Sequence, residues 1–184
     1  MSEKPVRKLS RLEGYDYSEN GCYFVTICTK DRKCLLGRCV PVGCPPDHVG
    51  AAISRPNRII LSRIGRIVQK AIEDIPKHYS DVFVDKFIVM PNHVHLMLTL
   101  SQADSGRLIA APTGGVSLSR IIGQMKRWCS AQAECPIWQK SFYDHIIRDD
   151  ADYLTHWSYI DGNAQKWETD PLNIHITDKE RETI

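Results

Sequence analysis

The chain of 184 residues contains no long run of apolar residues. A helix that crosses a bilayer needs roughly 20 consecutive, mostly apolar residues, so no membrane span is predicted. Residues 1–10 are polar and basic and lack the apolar core of a signal peptide. Internal repeats and low-complexity tracts are also missing. We therefore expect a single domain over residues 1–184, in the cytoplasm and without a membrane partner.

Closely spaced cysteine pairs are missing too, although the chain has seven cysteines. No two of them are separated by the two-residue gap that is typical of structural zinc sites, and an odd number fits a disulfide framework poorly. Reduced thiols that pack as small apolar groups are the better interpretation. The cysteine-rich segment 22–44 is given no functional role.

A large excess of charge of one sign is also absent, since the net charge is only +2. Charge alone therefore does not indicate a nucleic-acid partner. Basic residues nevertheless cluster at 55–70, before and along one predicted helix, and others follow between 126 and 148. Solvated helix faces explain such clusters at least as well as a binding surface does.

Hydrophobic periodicity divides the chain into strands and helices. The predicted strands cover residues 22–29, 82–89 and 93–100, of which the last two form a hairpin. The predicted helices cover residues 61–75, 118–129 (with Ser117 as the N-cap) and about 150–167. Residues 137–147 are apolar and aromatic, and their type stays undecided. The order predicts an α+β fold, a ferredoxin-like antiparallel sheet with helices packed on one face.

Two segments are expected to lie outside this framework. Glycine and proline crowd residues 37–58, which predicts a loop or insertion. Residues 169–184 are polar and are predicted to form a tail.

The pair His93 and His95 is the sharpest local feature. Alternate residues of a strand share a face, so both imidazoles are expected on one side, while Val94 and Leu96 face the core on the other. Two neutral imidazoles placed in this way can bind one divalent metal ion. Two surface histidines with a coincidental spacing remain the alternative interpretation.

The predicted helix over 150–167 has two stripes. Leu154, Trp157, Ile160 and Ala164 form the stripe that is expected to be buried, and the opposite stripe is polar. Tyr159 and Asn163 lie four residues apart on the polar stripe and are therefore neighbours. The Asn163 carbonyl oxygen could reach a metal ion on the side to which the Tyr159 phenol points. A helical tyrosine is usually a packing residue, so this geometry permits catalysis without requiring it.

Three blocks of sequence together resemble a known family. They are Met90-Pro-Asn-His-Val-His95, Ile137-Trp-Gln-Lys-Ser-Phe-Tyr-Asp-His-Ile-Ile-Arg148 and Tyr159-Ile-Asp-Gly-Asn163. In this order they are similar to the single-tyrosine transposases, whose signature is the His-hydrophobic-His pair of the HUH endonucleases. The nearest branch is that of the REP-associated tyrosine transposases, relatives of the small IS200-like transposases of bacterial insertion sequences. The resemblance extends from about Tyr15 to Trp167.

The resemblance implies a catalytic site and a reaction. By position, Tyr159 matches the catalytic tyrosine, His93 and His95 match the metal-binding pair, and Asn163 matches the residue that completes the metal shell. The implied reaction is cleavage and rejoining of single-stranded DNA through a 5′-phosphotyrosine, with Mg²⁺ or Mn²⁺ as the cofactor. In the family the matching asparagine is often followed by proline, whereas in this chain Asn163 is followed by Ala164.

The implied partner is single-stranded or hairpin DNA. Six basic residues are predicted phosphate contacts, namely Arg63, Arg66, Lys70, Lys126, Arg127 and Arg148. A relative that holds DNA hairpins without cutting them is the alternative function, and a metal-dependent hydrolase that does not use Tyr159 is a weaker one. The DNA sequence, the base that activates Tyr159, and the choice between a monomer and a homodimer are left open.

Overall fold

A computed structural model of the chain describes residues 15–41, 57–101 and 116–173. The strands are β1 Gly21–Cys28, β2 Gly37–Pro41, β3 Asn57–Leu61, β4 Val82–Val89, β5 His93–Leu100 and β6 Tyr143–Ile147. The helices are α1 Arg63–Glu73, α2 Ile75–His78, α3 Leu118–Ala133 and α4 Asp150–Gly162, with short 3₁₀ helices at Lys30–Arg32 and Ala164–Thr169.

The main sheet has the order β4-β5-β1-β6, and every neighbouring pair is antiparallel. The connections β1–α1–β4 and β5–α3–β6 give the two interleaved β-α-β units of a ferredoxin-like fold. The predicted α+β class with an antiparallel sheet is therefore confirmed. Both β1 and β5 lie in the centre of the sheet, and all residues of β5 except Thr99 are buried.

The hydrophobic core lies between one face of the sheet and helices α1 and α3. Tyr23, Val25 and Ile27 of β1 pair across from alternate residues of β5 and are fully buried there. Val68 and Ile72 of α1 pack against the same cluster. Helix α1 begins after Ser62, whose hydroxyl accepts a hydrogen bond from the Gly65 amide at 3.0 Å.

Helix α4 lies on the opposite face of the sheet, where it is anchored to β4. Lys86 of β4 pairs with Asp161 at 2.5 Å and lies 4.0 Å from the centre of the Trp157 ring. Phe24 of β1 contacts the rings of His156 and Tyr159, at centroid distances of 4.6 and 6.0 Å. The face of the sheet that carries His93 and His95 is thus covered by α4.

Several predicted boundaries are wrong. Residues 37–58 are not wholly a loop, because β2 and β3 occupy their two ends and pair from Gly37–Leu61 to Pro41–Asn57; residues 42–56 lie outside the described ranges. A β-carbon at Gly37 would lie 2.5 Å from the Ile60 carbonyl oxygen, which explains the glycine in a strand. Leu61 accordingly ends β3 rather than beginning a helix.

The predicted helix over 150–167 is also wrong at its end and at one residue of its buried stripe. Helix α4 ends at Gly162, and a 3₁₀ helix follows to Thr169. Leu154 is 61% exposed instead of buried. Ile160 and Ala164 of the same stripe are buried as predicted. Asp170 was predicted to lie in the polar tail, but its side chain is buried. Residues 174–184 and most of the predicted loop 101–116 lie outside the described part.

The expectation of thiols packed as small apolar groups holds for two of the described cysteines, whereas Cys34 is exposed. All six described cysteines are free thiols, and Cys28 and Cys129 are buried among apolar residues. Burial raises the pKa of the Cys129 thiol to about 12, so it stays protonated and packs as a small apolar group. None of the helices in these ranges is both long and apolar enough to cross a membrane.

Candidate metal and tyrosine site

His93 and His95 lie side by side on β5, on the face turned away from the core. Their side chains are 0% and 2% exposed, and their ring centroids are 4.5 Å apart. The expectation of one shared face is met, whereas the alternative of two surface histidines fails because both rings are buried. Burial lowers the pKa of His93 to about 4 and that of His95 well below its ordinary value. Both rings are therefore neutral at pH 7, which is the form that binds a metal ion.

Three buried polar atoms of this site lack hydrogen-bond partners and are therefore candidate metal ligands. Within the described ranges, His93 Nε2, His95 Nε2 and Asn163 Oδ1 are all buried without a hydrogen-bond partner. A buried polar atom without a partner costs about 1–3 kcal/mol, so three of them in one site call for an explanation. A divalent cation bound by the lone pairs of all three atoms would remove this cost, and these residue types fit such a cation.

The His93 ring is held in the tautomer that suits metal binding. Its Nδ1 lies 2.8 Å from Asn92 Oδ1. The Asn92 amide nitrogen donates to the carbonyl oxygens of Arg32 at 3.2 Å and Leu172 at 2.7 Å, which fixes Oδ1 as the side facing His93. Because Oδ1 can only accept, Nδ1 carries the proton and Nε2 keeps a lone pair.

The His95 ring is oriented by Thr26 of the neighbouring strand β1. Thr26 is opposite His95 in the register, and its hydroxyl lies 2.9 Å from His95 Nδ1. When Nε2 binds a metal ion, Nδ1 must be the protonated nitrogen and donate to the Thr26 oxygen. The threonine therefore supports His95 from outside the metal shell.

Replacement of Thr26 tests this support. We expect Thr26→Val, which keeps the side-chain shape, to weaken Mn²⁺ binding by about 10- to 100-fold, because the His95 ring loses its orienting partner. Isothermal titration calorimetry measures the change. Thr155→Val is the control, because the Thr155 hydroxyl donates to a carbonyl oxygen within α4. Thr29→Val is not suitable, because the Thr29 hydroxyl donates to the Asn92 carbonyl oxygen next to His93. Equal Mn²⁺ affinity in Thr26→Val and the wild type would contradict the role of Thr26.

Asp170 is a member of the site that the sequence analysis missed. Its Oδ2 lies 3.8 Å from His93 Nε2, and ligand atoms of His93, His95 and Asp170 all lie within 4.8 Å of one another. The other oxygen accepts a hydrogen bond from the Leu172 amide at 2.7 Å. The 3₁₀ helix that carries Asp170 to the site is docked on β3 by two hydrogen bonds between Gln165 and the Asn57 backbone. No periodic pattern marks such a residue in a polar segment.

Tyr159 lies next to the histidines but keeps access to solvent. Its side chain is 39% exposed, and its ring centroid is 5.1 Å from that of His95. Burial and then the negative charge of Asp170 raise the pKa of the phenol, while a hydrogen bond with the Asn163 side chain acts in the opposite direction. The phenol is therefore protonated at pH 7 in the absence of a nearby cation.

A cleft of about 370 Å³ opens beside Tyr159. Its walls are formed by Phe24, Thr26, His95, Tyr143, Thr155, His156, Tyr159 and Leu172. A second depression of about 530 Å³ adjoins Tyr159 on the side of Lys166. The phenol thus lies between a buried metal-binding corner and space that a substrate can enter.

Two relatives from Haemophilus influenzae match most of the chain. An uncharacterized protein is 30% identical over an alignment of 183 residues. The match covers 91% of this chain and 93% of the relative. A REP-associated tyrosine transposase is 26% identical over 156 residues, which cover 82% of this chain and 74% of the relative. The chain is similar to the REP-associated tyrosine transposases. The resemblance carried by the three sequence blocks is thereby confirmed.

A solved structure has the same fold as this chain. It is that of a REP-associated tyrosine transposase bound to a REP hairpin, with a TM-score of 0.56 and 21% sequence identity. The match covers 90% of this chain and 74% of the other chain. No protein-family model matches the chain.

The basic residues predicted to contact DNA are not gathered at the tyrosine. Arg63, Arg66 and Lys70 lie on α1, and Lys126 and Arg127 lie on α3, in the helix layer on the opposite face of the sheet. Lys70 pairs with Asp74 at 2.9 Å. Lys126 donates to the carbonyl oxygens of Gln139 at 2.7 Å and Ser141 at 3.2 Å, and therefore ties down the segment before β6.

Arg148 and Lys166 are better placed to contact a substrate at Tyr159. Arg148 is exposed directly before α4, the helix that carries Tyr159. Lys166 is exposed and borders the depression beside Tyr159, although it was not among the predicted contacts. Its position on the polar stripe of the predicted helix was the signal that could have found it.

The buried histidines predict a loss of stability in acid. Their pKa values are lowered by folding, so below about pH 6.5 the unfolded chain binds protons that the folded chain does not. We expect the free energy of unfolding of the metal-free protein to decrease as the pH falls from about 6.5 to about 4, the pKa of His93. Urea denaturation in the presence of a chelator measures it. A free energy that stays constant over this range would contradict neutral, buried rings.

Proposed function

We propose that the chain is a metal-dependent single-strand DNA endonuclease and strand transferase that acts in DNA transposition. The observation that carries the proposal is the convergence of three unpartnered buried atoms, from His93, His95 and Asn163, beside the partly exposed phenol of Tyr159. Similarity to a REP-associated tyrosine transposase supports the same reaction. Neither a structural histidine pair nor a packing tyrosine accounts for this arrangement.

His93 Nε2, His95 Nε2, Asn163 Oδ1 and a carboxylate oxygen of Asp170 would hold a divalent cation. Two imidazoles with an amide and a carboxylate oxygen suit Mg²⁺ less well than Mn²⁺, since Mg²⁺ prefers oxygen ligands. When bound, the cation polarises the scissile phosphate and neutralises charge on its oxygens. Asn92 keeps the His93 ring in the tautomer that this role requires, and Thr26 orients the His95 ring.

Tyr159 is the proposed nucleophile. Its oxygen attacks the scissile phosphorus, the bond to the 3′-oxygen of the preceding nucleotide breaks, and the 5′ end remains attached to the enzyme as a phosphotyrosine. The raised pKa of the phenol means that this step needs local activation. The released 3′-hydroxyl can attack the phosphotyrosine in the reverse sense, so joining requires no external energy source.

The proposed substrate is single-stranded or hairpin DNA. A family member with the same fold was solved on a REP hairpin. Arg148 is the predicted phosphate contact that lies at the start of α4, and Lys166 adds a cation on the other side of Tyr159. The predicted basic contacts on α1 and α3 could reach only DNA that extends around the edge of the sheet. Their role in DNA binding stays a prediction.

Incubation with end-labelled hairpin DNA and Mn²⁺ tests the proposed function. Denaturing electrophoresis should show a covalent protein–DNA species that requires the metal and disappears with a chelator. Binding to a panel of hairpins without any covalent species would instead indicate a DNA-holding relative without cleavage. Hydrolysis without a covalent species would indicate a metal-dependent hydrolase that does not use Tyr159.

A further inference from the structure

A second cluster of histidine and carboxylate groups borders the Tyr159 cleft. It consists of Asp152 and His156 on α4 and His145 on β6. Asp152 Oδ2 lies 2.8 Å from His145 Nε2, and Asp152 Oδ1 lies 3.0 Å from His156 Nδ1. One carboxylate therefore bridges two imidazoles, and of these His156 lines the cleft together with Tyr159.

The tautomer of His156 follows from its acceptors. Besides Oδ1, Nδ1 lies 2.9 Å from the backbone carbonyl oxygen of Asp152. Both neighbours are oxygens, and the hydrogen bond from His145 lowers the pKa of the Asp152 carboxyl and keeps it ionised, hence an acceptor only. Nδ1 therefore carries the proton, and Nε2 keeps the lone pair.

The His156 ring is also fixed in position. It stacks on His145 with 4.6 Å between centroids and an angle of 21°, and Phe24 packs against it at 4.6 Å. Phe24 also stacks on His95 at 5.2 Å. A ring that is held on two sides and oriented by a carboxylate is arranged as a general base is in other enzymes.

We propose that His156 is the proton-transfer residue of this reaction, with Nε2 taking the proton of the Tyr159 phenol and Asp152 acting as a positioning residue. This inference rests on the proposed function of Tyr159 as nucleophile. Tyr159 follows His156 by three residues, so the two side chains are neighbours on one face of α4. Both side chains also line the same cleft.

The proton balance of the step is complete. The phenolic O–H bond breaks as the new oxygen–phosphorus bond forms, and the proton moves to His156 Nε2. The bond from phosphorus to the 3′-oxygen breaks, and the 3′-oxygen receives a proton from the imidazolium, directly or through water. In the joining reaction the same transfers run in reverse.

The ionisable groups around His156 come from each element that packs against it. Asp152 and Tyr159 share its helix, His145 faces it from β6, and His95 lies beyond Phe24 on β5. From β1 the neutral side chains of Phe24 and Thr26 line the same cleft. Asp152 is the acidic group that bonds to His156 Nδ1 and holds the ring in its orientation.

The rate of covalent adduct formation in His156→Gln tests the proposal. We expect a rate about 10²-fold or more below that of the wild type at saturating Mn²⁺, with Mn²⁺ affinity and the circular dichroism spectrum unchanged. In His156→Ala, added imidazole should restore part of the rate, because the cleft is open to solvent. It should restore none in Tyr159→Phe. His78→Gln, a matched removal of an exposed imidazole on α2, should form adduct at the wild-type rate.

Each outcome separates this inference from the proposed function. Adduct formation by His156→Gln at the wild-type rate would overturn the role of His156 while the proposed function stands. A slow His156→Ala variant that binds Mn²⁺ normally but is not rescued by imidazole would also overturn it, because the defect would then be structural. Failure of the wild type to form any adduct would overturn the proposed function, and this inference with it.

Discussion

Tyr159→Phe is expected to form no detectable covalent adduct with single-stranded DNA, a decrease in rate on the order of 10⁴-fold or more. The substitution removes one oxygen atom from a side chain that is 39% exposed, so packing against Phe24 and His95 should persist. Mn²⁺ affinity should remain near that of the wild type, since the metal ligands are left in place. Single-turnover assays on a denaturing gel, with calorimetry for the metal, measure both quantities.

Tyr153→Phe is the matched control. Tyr153 is on the same helix but stacks on Trp157, with 5.8 Å between ring centroids, and it does not line the cleft. Removal of its hydroxyl should leave adduct formation unchanged. An adduct that survives in Tyr159→Phe, or that is lost in Tyr153→Phe, would show that the nucleophile has been assigned to the wrong residue.

His93→Ala should lose metal binding and, with it, adduct formation. We expect Mn²⁺ affinity to decrease by more than about 100-fold, beyond the effect typical of an outer-shell partner such as Thr26. Adduct formation should then fall below detection at Mn²⁺ concentrations that saturate the wild type, because the phenol of Tyr159 has a raised pKa and no cation beside it. Calorimetry at about pH 7.5 keeps the competing protonation of the histidines small.

The control for this prediction is His78→Ala. His78 is exposed on α2, on the helix layer away from the site, so Mn²⁺ affinity and adduct formation should not change. Circular dichroism of His93→Ala verifies folding, since His93 is fully buried and hydrogen-bonded to Asn92. A folded His93→Ala variant that binds Mn²⁺ as tightly as the wild type would place the metal elsewhere.

Strongly periodic segments were predictable from the sequence. The hairpin of β4 and β5 has the predicted bounds, because two eight-residue segments rich in apolar and β-branched residues are separated by Pro91 and Asn92. Ser117 caps α3 as expected, since the Arg120 amide bonds to its hydroxyl at 3.4 Å. Strands β2 and β3 were not predictable, because each has five residues and they border a stretch rich in glycine and proline.

The site was predictable only where its residues follow a local pattern. The spacing of His93 and His95 on a strand and of Tyr159 and Asn163 on a helix is visible in one dimension. Asp170 was missed because its position depends on the docking of a 3₁₀ helix on β3, a contact between residues 108 positions apart. Of the predicted apolar stripe, Ile160 and Ala164 are buried, whereas Leu154 is exposed, so the helical period alone did not mark where the buried face of α4 begins.

The most direct test of the account is to identify the residue that becomes attached to DNA. Wild-type protein is incubated with a short single-stranded or hairpin DNA and Mn²⁺, digested with trypsin and nuclease, and analysed by tandem mass spectrometry. Cleavage after Arg148 and Lys166 yields one peptide that contains both Tyr153 and Tyr159, so fragment ions distinguish the two. The account predicts a nucleotide joined through its 5′-phosphate to Tyr159. Attachment to Tyr153 or to any other residue, or linkage through a 3′-phosphate, would contradict it.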